Sequence, residues 1–149
     1  MITENELHVF VESTANYFST VSGEPAEVGE PCVIVSDLAL LDVTGILKVE
    51  GACSGFVFLT LSWKLGRALL SALEEEDDSK ETLIDLVKEV SHNIAGNARE
   101  RLNKHFDISV PEETDPDEIQ NMKMPQLKFV VPITWNSSTA YLFLALGKA

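Results

Sequence analysis

The segment from Ser79 to about Lys104 constrains the fold most. Leu83, Val87, Val90, Ile94, Ala98 and Leu102 recur there at steps of three and four, the spacing of a helix with one buried stripe. A helix of roughly seven turns with a single apolar stripe needs a broad apolar surface to lie on. Its other side stays free for solvent or for a second molecule. Asp78 followed by Glu81 predicts a capping box at its start.

The rest of the chain supplies that surface. Cys32 to Val35 is short and β-branched, Asp42 to Glu50 alternates imperfectly, and Phe56 to Leu61 follows a turn at Gly51 to Gly55. Two apolar runs around such a turn predict a hairpin. Phe106 to Pro111, Leu127 to Ile133 and Tyr141 to Leu146 read as further strands, with Asn136-Ser137-Ser138 joining the last two. Glu112 to about Met124 is polar, contains Pro116 and reads as a loop ending before Pro125. An amphipathic helix is expected from Thr3 to about Thr20, with Leu7, Phe10, Val11, Thr14, Tyr17 and Phe18 inward, Thr3 and Glu6 as a capping box, and Gly23 and Pro25 ending it. Ser62 begins another helix, with Leu65, Leu69, Leu70 and Leu73 inward. Helices interspersed with antiparallel hairpins predict an α+β fold, a two-layer α/β sandwich of long helices on a mainly antiparallel sheet.

A chain of 149 residues suits one domain, here residues 1–149. Lys and Arg number 11 against 24 Asp and Glu, a net charge of −13. Such a surface repels nucleic acid and anionic membranes. The start has no basic, apolar leader, and no apolar run approaches the roughly 20 residues of a membrane span. A cytoplasmic protein is therefore expected. Cys32 and Cys53 lack metal-ligand spacing and read as two small buried thiols. His8 and His105 form no metal set, so no metal or cofactor of its own is expected. The run Glu74 to Asp78 reads as a solvated loop. No nucleophile motif or phosphate-cradling glycine loop appears.

Away from the apolar stripe, Asp85, Glu89, His92 and Gly96 fall within about 60° of one another at about 100° per residue. The column offers a carboxylate, an imidazole one turn later and then a gap. Glycine in mid-helix costs about 1 kcal/mol relative to alanine, and it lets another molecule come close. On spacing alone, the column reads as solvated surface with ordinary side-chain pairs.

Three segments in order shift that reading. Leu41 to Gly51 resembles the D-V-[ST]-G-I strand and turn of the CheC/CheX family of chemotaxis phosphatases, in its CheX branch. Asp85 to Ala98 is similar to that family's signature helix, D/S-x3-E-x2-N followed by a G-N-A step, here Gly96-Asn97-Ala98. Asp107 to Pro111 resembles the D-I-S-[LV]-P strand that follows. The likeness runs from the first helix to the end of the chain. It implies a phosphatase acting on the aspartyl phosphate of a CheY-like response regulator. Glu89 would engage the regulator's active-site lysine, and Asp85 and Gly96 would join it in partner binding. The magnesium ion would arrive on the partner receiver domain. The resemblance also implies a homodimer joined through sheets, for which open sheet edges are suited.

The sequence departs from the pattern at one position. The signature Asn, which holds a water in line with the acyl phosphate in that family, is His92 here. Carboxamide and neutral imidazole both offer one donor and one acceptor, but the imidazole carries them on opposite edges. His92 is suited to act as a general base near neutral pH, or it is too bulky to reach the phosphoryl group. In the second case the chain is a module that binds a receiver domain without turnover. Asn93, about 100° further round, is a lesser catalytic candidate. Asn97 reads as structural, and Glu12 with Asn16, at E-x3-N spacing on the first helix, as ordinary surface.

Overall fold

The computed structural model describes residues 2–34, 39–102, 106–125 and 127–148. The expected strand residue Val35, the helix end at Lys104, and His105 lie outside these. In chain order the elements are α1 (Glu4–Ser22), β1 (Glu27–Val28), β2 (Cys32–Ile34), β3 (Val43–Gly51), β4 (Cys53–Leu61), α2 (Trp63–Ala72), α3 (Lys80–Leu102), β5 (Phe106–Ile108), β6 (Glu112–Glu113), α4 (Pro116–Gln120), β7 (Lys128–Trp135) and β8 (Ser138–Lys148).

The strands form one antiparallel sheet in the order β1-β7-β8-β4-β3-β5, with β2 also on β7 and β6 also on β3. Both hairpins sit where the apolar runs put them. Strand β4 starts at Cys53, earlier than expected, taking in part of the supposed turn. The last hairpin turns on Asn136 and Ser137, at φ 50° and 59°, the pair of positive values that a two-residue type I′ turn requires.

Helices α1, α2 and α3 cover one face, and α3 lies on β3 and β4. Leu83, Val87, Val90, Ile94 and Ala98 are fully buried against Leu47, Val57 and Leu59 of the sheet and Phe10 and Phe18 of α1. Gly45 brings α3 this close. A β-carbon there would sit 3.1 Å from the Val87 carbonyl oxygen. The helix backbone thus rests on the strand with no side chain between.

The caps follow chemistry legible in part. On α1, Thr3 and Glu6 exchange side-chain-to-backbone hydrogen bonds of 2.9 and 3.1 Å, and Gly23 closes the helix at φ 75°. On α3 the expected Asp78–Glu81 box is absent. Ser79 accepts from the Thr82 amide, while Asp77 accepts from the Ser79 amide at 2.9 Å and the Thr82 hydroxyl at 2.8 Å. Those bonds, the Ser79 amide's first, hold the Asp77 carboxyl below the usual range. Asp78 instead faces Arg67 at 3.7 Å.

Three other expectations change. Leu73 is 42% exposed, because α2 ends at Ala72 and the chain turns away at Glu74, φ 61°. Cys53 is buried, but Cys32 is exposed on the edge strand β2. The polar segment after residue 111 is not all loop. It adds β6 to the sheet and forms α4, started by Asp115, which accepts from the Glu118 amide, with Pro116 next. Ile119 of α4 and the following Met122 and Met124 pack on Ile46, Phe58 and Phe143, so part of the sheet's second face is covered as well.

Candidate functional site

The outward column exists as a surface of α3. Asp85, Glu89, His92 and Asn93 are exposed, and Gly96 is half-buried. Burial of Leu83, Val87, Val90 and Ile94 on the opposite side forces this, since helical periodicity leaves those residues no other direction.

The column meets α1. The two helices pack side by side, and an open groove of about 500 Å3 runs between them. His92, Asn93, Gly96, Asn97 and Glu100 line it from α3, and Asn16, Tyr17, Thr20 and Val21 from α1. Asp85 is not among the lining residues. Asn97, read as structural from its spacing, is half-buried in the groove wall.

Glu12 clips the helices together one turn before Asn16. Its carboxylate lies 2.8 Å from His8 Nε2 and accepts from Arg101 Nη1 at 3.1 Å. All three side chains are well exposed, so the pairs add at most about 1 kcal/mol.

Gly96 opens the groove. A β-carbon there would meet nothing within 4 Å, so no internal packing demands glycine. Gly66 of α2 differs, since a β-carbon on it would sit 2.7 Å from Leu83 Cδ2. The helix thus carries a costly residue at 96 that the fold does not need.

Tyr17 closes the groove from below. It is 7% exposed and packs edge-on against Phe18 at 5.6 Å between ring centres. Burial, and then the negative charge of Glu89, push its phenol up to about 12. Glu89 therefore lies close enough to act on the groove's floor, though it is not part of the lining. The arrangement joins a free carboxylate, an imidazole and carboxamides around an open recess. Chemically, such a set can pair with a cationic group and hydrogen-bond a small polar molecule beside it.

Sequence reading took Asn16 as ordinary surface and Tyr17 as an inward core residue, and did not single out Thr20. Periodicity places each on α1, but only the packing of α1 against α3 shows that they share a recess with His92. Among the described residues, no three His, Cys, Asp or Glu side chains converge to hold a metal ion. No described helix is long and apolar enough to cross a membrane.

Residues 43–133 match the family described as chemotaxis phosphatase CheX. Similar folds occur in solved structures. A CheC-like superfamily protein from Shewanella sp. PV-4 is 21% identical with a TM-score of 0.81, over 98% of this chain and 99% of that one. The chemotaxis protein CheX from Vibrio vulnificus is 18% identical at 0.80, over 96% and 99%. The CheX–CheY–BeF3–Mg2+ complex from Borrelia burgdorferi is 20% identical at 0.74, over 96% and 98%. No curated protein sequence matches.

Proposed function

This chain belongs to the CheX family of chemotaxis phosphatases, and we propose that it hydrolyses the aspartyl phosphate of a CheY-like response regulator. The observation that carries this reading is the outward face of α3, where exposed Glu89 stands beside an open groove that exposed His92 and half-buried Gly96 line. A structural relative supports it, since the Borrelia burgdorferi CheX is solved with CheY, BeF3 and Mg2+.

Glu89 is the docking carboxylate. Its exposed charge suits a lysine in the receiver's active site, and Asp85 one turn earlier extends the negative surface that meets it. Gly96 gives the receiver room to approach. The receiver brings the magnesium ion and most of the charge stabilisation. This chain contributes position, which is most of what phosphoryl transfer needs from a protein.

His92 stands where the family resemblance places Asn. Its free imidazole nitrogen accepts the proton of a water aimed at phosphorus; the P–O bond to water forms as the bond to the aspartyl oxygen breaks, leaving a free aspartate and inorganic phosphate. Asn93, also in the groove, is the lesser candidate for holding that water. The enzyme works in the cytoplasm as a homodimer joined through a sheet edge. The β1–β2 edge suits this, since Val33 is 53% exposed there.

The test is to mix the protein with a phosphorylated receiver and follow phosphate loss. Faster loss than the receiver's own rate is expected. An unchanged rate with every cognate receiver would overturn the enzymatic reading.

The substitution at 92 favours a second reading, a module that binds the receiver without turnover. His92→Asn separates the two. Activity gained from nothing identifies the binding module, and activity lost identifies imidazole chemistry.

A further inference from the structure

We infer that the site spans two helices, with Asn16 of α1 holding the attacking water from the wall opposite His92. This rests on the phosphatase reading and adds to it a residue from the other helix.

The geometry carries it. A water that attacks phosphorus must lie opposite the leaving oxygen, and small misplacement is costly in rate. His92 projects from one side of the groove and offers the water a single nitrogen. The imidazole's second nitrogen faces the other way. A water held at one point swings, so a second contact must come from another direction. Across the groove from α3 stands Asn16, exposed and without a hydrogen bond among the described residues. Its carboxamide offers a donor and an acceptor at once. Between the two walls, Gly96 leaves open the space that any side chain would narrow. Phe10, Tyr17 and Phe18 of α1 are buried in one core with Val90 and Ile94 of α3, so Asn16 is held on this wall before any partner arrives.

The position also argues against a merely structural Asn16. It packs no core, caps no helix and joins no ion pair. An unbonded carboxamide on a recess lined by His92 is available for water.

The experiment uses the full chain with a phosphorylated receiver. Asn16→Ala should lower the single-turnover rate at saturating receiver by about tenfold or more. Affinity for the beryllofluoride-loaded receiver should stay within about twofold. Asn16→Gln should recover part of the rate. An unchanged rate in Asn16→Ala overturns the inference while the phosphatase reading stands. A weaker affinity with an unchanged saturated rate also overturns it, placing Asn16 in docking alone. A wild-type chain that never accelerates phosphate loss removes the phosphatase reading and this inference together.

Discussion

The phenol of Tyr17 on α1 and the carboxylate of Glu89 on α3 are electrostatically coupled across the seam between the two helices. Burial is the larger cause that lifts the phenol from 10.0 to about 12, and the Glu89 charge is the smaller. The neutral phenol is therefore favoured in the folded state, so its contribution to stability is complete below pH 10. It is lost as pH rises from 10 towards 12, at up to about 1.4 kcal/mol per pH unit. Glu89→Gln removes the smaller cause. Tyr17 should then titrate lower, but still above 10.0. Ultraviolet titration of tyrosinate checks this, with Tyr17→Phe identifying the signal.

The same carboxylate is the docking group in the proposed function. Glu89→Ala should weaken binding of a beryllofluoride-loaded receiver by about 2 kcal/mol or more, roughly thirtyfold. The thermal midpoint should hardly move, because Glu89 is exposed. Calorimetric titration measures the first and thermal unfolding the second. Unchanged affinity would show that the receiver docks elsewhere.

What the sequence disclosed depended on the range of the signal. The α3 stripe was legible because Leu83 to Ala98 repeat at helical spacing, and the same spacing fixed which residues point outward. Local chemistry revealed the α1 capping box. It misled at α3, where Asp78 is followed by Glu81 at box spacing but Ser79 lies nearer the helix start and wins the Thr82 amide. Helix α4 was hidden because Ile119, Met122 and Met124 are too few and too scattered to show a period, and their partners Ile46, Phe58 and Phe143 lie on distant strands. The groove was hidden for the same reason. Asn16 and His92 are far apart in sequence, and their nearness depends on helix packing.

His92 makes a prediction of its own. If the imidazole takes the proton of the attacking water, His92→Gln, which keeps a polar side chain but supplies no base, should slow phosphate loss by about a hundredfold. Rates of phosphate loss, corrected for the receiver's own decay, make the comparison. A His92→Gln rate equal to the wild-type rate would remove the imidazole from the proton transfer.

Assembly is testable at the β1–β2 edge. Val33 is exposed on β2, so Val33→Lys places a charge where a second sheet would add. The wild-type chain should sediment as a dimer at micromolar concentration and the variant as a monomer. A monomeric wild type would remove the dimer from the proposal.

In the proposed function Gly96 serves docking at the expense of helix stability, so its replacement should move the two in opposite directions. Glycine is the costlier choice in mid-helix, and a β-carbon at 96 would touch nothing within 4 Å. Gly96→Ala should therefore stabilise the fold by about 0.5–1 kcal/mol. The contrast is Gly45→Ala, whose β-carbon would press on the Val87 carbonyl at 3.1 Å and should destabilise. If the gap at 96 exists for the receiver, the more stable Gly96→Ala variant should bind the receiver less tightly and release phosphate more slowly. Thermal unfolding and receiver titration on the same sample decide it. A variant that gains stability and keeps full affinity would show that nothing enters the gap, and the docking surface would then have to lie nearer Asp85 and Glu89.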